Sequence, residues 1–399
     1  MQVTGLPSTP RSFMHLFAGA VLTAGLIGCA TRQASNEVQS FDQAIATATD
    51  ALMRQTQKMP ALLTTADAKA ERHVVVLDPT LDAGSGQQTL ATQHLDRALA
   101  ERVAGTFKQI EILPFQAANL SRAQYLLAGT VAREQSNYRI NLALVDMKAG
   151  TVAAQSSAVA SRDSVDMSPL PYYRDSPVLL KDEVIDGLVR TSTAAPGEKA
   201  DAIYLERIAT ATVVNDATLL YNATRYREAL ALYRRASARP GGDQIRVLTG
   251  IYLTTLKLGQ AAEAEEAFGR LVAYGMAHNQ LGMKFLFNPG SVDFWSDPKV
   301  TNAYRMWLRQ IARQTGSSRA CMDIVGHSSK TGPEEVNDSL SLRRAQYIKQ
   351  RLAAESADTA ERTRTKGMGS RQNLVGSGTD DVVDALDRRV EFAIVDCGR

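Results

Sequence analysis

Histidine and cysteine are scarce, with five and three copies in 399 residues. No C-x-x-C pair and no Cys/His cluster has metal-ligand spacing, so neither a metal centre nor a redox dithiol is expected. The motifs G-x-S-x-G, H-E-x-x-H and the P-loop are missing as well, and His73 and His94 have no carboxylate or thiol partner at a motif spacing. Gly84-Ser85-Gly86 lacks the G-K-[ST] ending with which a loop cradles phosphate, and reads as an ordinary turn. An excess of charge of one sign is also missing: 45 Lys and Arg stand against 42 Asp and Glu, a formal net charge of +3. With no dense basic run interleaved with aromatics, a nucleic-acid partner is not expected. These absences point to a protein that is not an enzyme and carries no cofactor. What is present is apolar enough to fold: 44% hydrophobic with 22% charged residues excludes a largely disordered chain. The length suggests two or three domains.

The chain opens with a polar segment to Pro10, a positive charge at Arg11 and an apolar run from Phe13 to Ile27 interrupted at His15. That is the layout of a secretory signal, and the run is short for a membrane span. Leu26-Ile27-Gly28-Cys29 resembles the bacterial lipobox. The resemblance implies removal of residues 1–28 as a lipoprotein signal peptide and lipid on the Cys29 thiol; an ordinary signal peptide that happens to contain a cysteine is the alternative. In such proteins an acidic second residue retains the chain at the inner membrane. Here it is Ala30, which implies lipid anchoring at the periplasmic face of the outer membrane, and several acyl chains make that anchoring stable. Residues 29–40 are polar without apolar periodicity and read as a tether.

Residues 41–160 read as an α/β domain. Phe41, Ile45, Ala48 and Leu52 form one helical stripe, and Leu95, Leu99 and Val103 another. His73 to Leu81 and Glu111 to Phe115 read as short strands. Tyr138, Ile140, Leu142 and Leu144 alternate as a half-buried strand does, and Thr151 to Ala160 returns as its hairpin partner. The run from Ala123 to Gln155 is similar to small envelope domains of the FlgO, LpoB and TolB N-terminal type. Residues 161–200, with Pro169, Pro171, Pro177 and Pro196 and one short helical stripe, read as a proline-rich connector. In residues 201–280 the texture is helical. Tyr226 to Pro240 resembles the second helix of a tetratricopeptide repeat, with Ala229, Tyr233 and Ala236 at its small and aromatic positions. Ala264, Phe268 and Leu271 repeat the pattern 35 residues later, close to the repeat length of about 34. Such a pair is below the three or so repeats that stand alone, so this segment is expected to pack on a neighbour. It is either a groove for a protein partner or a rigid spacer.

Residues 281–399 carry the most specific pattern. Gly326-His327-Ser328-Ser329 ends an apolar run. Then Asn337, Leu340, Ser341, Arg344 and Ala345 open an amphipathic helix, and Asp387 to Val395 reads as a strand. Together, G-H-x-x, N-x-x-L-S-x-x-R-A and D-R-R-V-E resemble the OmpA C-terminal domain, a periplasmic module that binds peptidoglycan. Phe285 to Phe294 is then expected as its first strand and turn. Val300, Tyr304, Trp307, Leu308 and Ile311 mark its first helix, in a β-α-β-α-β-β sandwich with helices on one face of the sheet. The whole is expected to be an α/β multidomain protein: an N-terminal α/β domain, a tetratricopeptide-like helical segment and this OmpA-like sandwich.

In the OmpA family, an Asp after the G-H-T triplet and the Arg of the R-A pair grip the diaminopimelate of the peptide stem. Arg344 matches the Arg, Ser329 stands where the family has Asp, and Asn337 and Arg388 complete the implied peptidoglycan-binding set. A hydroxyl carries no charge for the ammonium, so binding is retained but weakened, or the domain keeps its fold and the protein serves as an assembly scaffold of a secretion or export machine. Glu334, Glu335 and Asp338 are the nearby acids that stand in for the missing one, should any do so. Cys321 begins one expected strand and Cys397 ends another, so a disulfide forms if those strands run antiparallel; two buried thiols are the alternative.

Overall fold

Seven consecutive residues, Tyr125 to Val131, are buried without alternation, so the sheet that holds them needs a covering layer on each face. In the computed structural model, which describes residues 33–56, 72–374, 378, 384 and 387–397, this requirement organises the first half of the chain. Strands β1 (Gln33–Gln39), β2 (His73–Leu77), β3 (Leu81–Asp82), β4 (Ile110–Pro114), β5 (Tyr125–Glu134), β6 (Asn137–Asp146) and β7 (Thr151–Ser161) form one sheet. Its order is β1-β7-β6-β5-β2-β4, with β3 beside β5. Strands β5, β6 and β7 are an antiparallel meander, whereas β2 runs parallel to both neighbours.

Helices α1 (Phe41–Thr56) and α2 (Leu90–Thr106) cover one face. Ile45, Leu52, Leu95 and Leu99 pack there with Leu127, Ile140 and Leu142. After the short α3 (Ala117–Leu120) and α4 (Pro171–Asp175), the second face is covered by α5 (Glu183–Thr193) and α6 (Ala202–Asn222). Ile185, Leu188, Tyr204 and Ile208 lie against Leu126, Ala128 and Val145. Both helices have an aspartate at the N-cap: Asp182 accepts from the Val184 and Ile185 amides, Asp201 from that of Tyr204. The second layer therefore lies beyond the 41–160 boundary expected from sequence, in the stretches read as connector and helical segment.

Two other expectations are corrected. Residues 33–39 are not a free tether but strand β1, parallel to β7. It is an edge strand held by main-chain hydrogen bonds, which is why no apolar alternation marks it. The connector is also more ordered than its prolines suggest. Leu179 N–H donates to the Gly282 carbonyl (2.9 Å) and Lys284 N–H to that of Pro177 (2.8 Å). The segment thereby covers the edge of the C-terminal sheet, removing unpaired strand backbone.

Helices α6, α7 (Tyr226–Ser237), α8 (Ile245–Lys257) and α9 (Ala261–Ala277) pack in succession. The residues expected on the inner faces, Ala229, Tyr233, Ala236, Ala264, Phe268 and Leu271, are buried. Gly250 on α8 admits the Tyr233 ring, since a Cβ there would lie 2.3 Å from it.

The C-terminal part follows with β8 (Leu281–Met283), α10 (Pro298–Thr301), α11 (Tyr304–Ser318), β9 (Cys321–Gly326), α12 (Glu334–Glu355), α13 (Ala357–Glu361), β10 (Thr363–Gly367) and β11 (Val390–Val395). The sheet order is β10-β9-β11-β8, with β10 parallel and β11 antiparallel to β9. The first strand is Leu281–Met283, upstream of the expected Phe285 to Phe294. The latter is a loop closed by a bridge between Phe287 and Phe294. Its alternating aromatics reflect packing: Phe294 meets Tyr304 and Tyr347, and Phe285 meets Trp307.

No boundary interrupts the core between helices and C-terminal sheet. Phe268 of α9 stacks on Trp307 of α11 with ring centroids 5.7 Å apart, and the indole N–H donates to the Tyr252 hydroxyl at 2.7 Å. Phe268, Trp307, Met322 and Phe392 belong to one cluster. Phe268→Ala should therefore cost about 3–5 kcal/mol and lower the stability of both parts in step. Thermal unfolding followed by tryptophan emission and by far-ultraviolet circular dichroism checks this; transitions that separate in the variant would show the two parts to be independent.

Candidate functional site

Helix α12 lays one face along the C-terminal sheet, burying Asn337, Leu340, Ser341, Arg344, Ala345, Ile348 and Leu352 at helical spacing. Close approach is possible because β9 ends in Gly326, where a Cβ would sit 2.0 Å from the Ser341 carbonyl oxygen. Each polar residue on this face holds a different loop. The Asn337 side-chain amide donates to the Thr331 carbonyl (3.2 Å), fixing the loop between β9 and α12. The Ser341 hydroxyl accepts from the Gly369 amide (2.9 Å), fixing the loop after β10.

Arg344 holds the loop after β8. Its Nε donates to the Ser291 carbonyl (3.1 Å) and its Nη2 to that of Asn288 (3.2 Å). The guanidinium lies over the Phe287 ring, 5.0 Å from the centroid, a cation–π contact. Gly290, at φ +65°, lets the chain turn between these carbonyls. Arg344 is 1% exposed. The planar fork that suits a carboxylate is thus covered by the protein's own backbone.

Ser329 is buried in the loop that follows Gly326. Of the nearby acids, Glu334 accepts from the Ser370 amide (3.0 Å) and hydroxyl, and Arg371 lies 2.6 Å from Asp338 and 3.3 Å from Glu334. Both carboxylates are engaged by the loop after β10, while Glu335 is exposed. Arg388, also buried, lines a cavity facing α8. Sequence reasoning missed Phe287 and the Asn288 and Ser291 carbonyls. Main-chain acceptors leave no side-chain signature, so only the aromatic could have been found.

The Cys321 and Cys397 sulfurs are 2.17 Å apart, bonded as a disulfide, with Cα atoms 5.1 Å apart. The antiparallel register of β9 and β11, which pairs Cys321 with Val395, brings them together. Cys29 and the signal segment lie outside the described residues. Among the described residues no helix is long and apolar enough to cross a membrane, and no three His, Cys, Asp or Glu side chains are grouped to hold a metal ion.

The model of the OmpA family matches residues 286–385. No curated protein matches the chain. Among solved structures, the chain is similar to the peptidoglycan-associated lipoprotein of Burkholderia pseudomallei, at 21% identity over 25% of this chain and 85% of that one, with a TM-score of 0.22. The periplasmic domain of Helicobacter pylori MotB matches at 15% identity over 28% of this chain and 69% of that one, TM-score 0.23. The OmpA-like domain of FopA1 from Francisella tularensis matches at 19% identity over 29% and 73%, TM-score 0.22. The C-terminal part of this chain is an OmpA-like domain, within an α/β fold that also contains helical segments.

His327 closes β9, its amide donating to the Arg389 carbonyl (3.0 Å) and its ring 3.7 Å from Glu391, too far for a hydrogen bond. Burial pushes the imidazole below the usual histidine range. Burial also pushes the Glu391 carboxyl up, but His327 and Arg389 outweigh it and hold it at about 2. Both groups bind protons more readily in the unfolded chain, so both make stability fall with falling pH. The histidine acts below about pH 6.5 and the glutamate below about pH 4.5. Between pH 7 and 5 the melting temperature of the wild type should therefore fall relative to that of His327→Gln. A parallel curve for the variant would remove His327 from the account.

Proposed function

We propose that this protein is a non-enzymatic lipoprotein of the outer membrane, anchored at Cys29 on the periplasmic face. Its OmpA-like domain associates weakly with diaminopimelate-type peptidoglycan and so links the membrane to the cell wall. The supporting observation is Arg344. Two of the hydrogen bonds that hold its guanidinium go to neutral carbonyls, and a stem-peptide carboxylate would replace them with charge-assisted bonds, which are roughly twice as strong. The exchange requires the turn carrying Asn288 and Ser291 to give way. Ser329 brings no charge to the ligand ammonium, and Glu334 and Asp338 are engaged elsewhere. Both features make the association weak.

The burial of Arg344 also favours a second reading, in which the arginine only holds its loop and the protein is a periplasmic assembly scaffold. Retention on purified sacculi separates the two. On the first reading the wild type is retained. Arg344→Ala loses retention, and Ser329→Asp strengthens it about tenfold, the worth of one charge-assisted hydrogen bond. If neither the wild type nor Ser329→Asp is retained, the scaffold reading stands.

The anchor is tested separately. Cys29→Ser should give an uncleaved or soluble form that leaves the outer-membrane fraction. Unchanged mobility and fractionation would exclude lipid on Cys29.

A further inference from the structure

Between α8, the connector and the OmpA-like domain lies a cavity of about 390 Å³ that the peptidoglycan reading does not use. That volume is within the range of pockets that take small ligands. Aromatic rings from three places in the chain line it: Tyr252, Trp295, Tyr304 and Trp307. Leu256 stands at its rim, 42% exposed, one of few large apolar side chains left open to solvent. The charges lining it are uneven. Among the described residues that line it, Arg174, Lys257, Lys284 and Arg388 are basic and Asp175 and Asp297 acidic. Asp175 is itself engaged by Lys257 at 2.9 Å and by the Tyr221 hydroxyl at 2.8 Å.

The decisive residue is Lys284, buried at 8% exposure. Its ammonium donates to the carbonyls of Tyr173 (2.8 Å) and Arg174 (3.4 Å), which are its acceptors among the described residues. An ammonium has three donors, so one hydrogen remains for a ligand. No carboxylate offsets it at ion-pair distance among the described residues. A buried cation in an aromatic-walled cavity is costly unless an anion joins it. Burial holds this amine at about 7, so a bound anion would also restore its charge.

We propose that this cavity binds a small amphipathic anion, its apolar body between the aromatic rings and its carboxylate-like head on Lys284. Nothing in the proposal depends on peptidoglycan binding. Both tryptophans of the chain, Trp295 and Trp307, line the cavity, so intrinsic emission reports its occupancy directly. Decanoate and decanol, which differ in the head group alone, are titrated into the whole protein below their aggregation concentrations.

Decanoate should change the emission saturably at one molecule per chain, and decanol should bind at least tenfold more weakly. Leu256→Glu places an acid at the exposed rim without disturbing the core, and should weaken decanoate several-fold. Lys284→Met should bring decanoate down to the affinity of decanol. Emission unchanged by decanoate, or equal affinities for decanoate and decanol on the wild type, would overturn the proposal. The head-group comparison decides the matter on the wild type even if Lys284→Met does not fold.

Discussion

A buried guanidinium must find acceptors, and the way Arg344 finds them shapes the C-terminal domain. Its hydrogen bonds to Asn288 and Ser291 are made to backbone, so they fix the path of a loop and not merely a side chain. Asn337 and Ser341, on the same face of α12, do the same for two further loops. The N-x-x-L-S-x-x-R pattern is therefore a set of attachments along one helix, with Leu340 and Ala345 packing between them. Removing one leaves buried polar groups unsatisfied, at roughly 1–3 kcal/mol each.

The domain does not stand apart. Its sheet edge at β8 is covered by the connector, and its helix α11 shares a core with α9. The N-terminal sheet in turn borrows α5 and α6 for its second face. Neighbouring parts thus complete one another's cores, which explains how a pair of helical hairpins persists without a longer array. It also creates the aromatic-walled cavity, since that space exists only where α8, the connector and the OmpA-like domain meet.

What could be read in the sequence follows from where each signal resides. The stripes of α1, α2 and α12 were legible because side-chain periodicity is the physical cause of their burial. The relative direction of β9 and β11 was left open by the sequence, because apolar runs mark strands but not their pairing; the register is antiparallel. Strand β1 was not legible, because an edge strand held by main-chain hydrogen bonds imposes no apolar pattern on residues 33–39. The first strand of the C-terminal sheet was misplaced onto Phe285 and Phe287, whose alternation serves an aromatic cluster. Within the site, Arg344, Asn337 and Ser341 were legible as a motif. The closure of Arg344 by carbonyls was not, since any residue type at Asn288 and Ser291 supplies the same atoms.

The central claim is that Arg344 can exchange these carbonyls for a ligand carboxylate. A crystal structure of the protein soaked with a soluble diaminopimelate-containing muropeptide tests it most directly. The account predicts a stem-peptide carboxylate on the Arg344 guanidinium with the 288–291 turn displaced. A muropeptide bound elsewhere, or Arg344 still held by Asn288 and Ser291 in crystals with the ligand present, would contradict it.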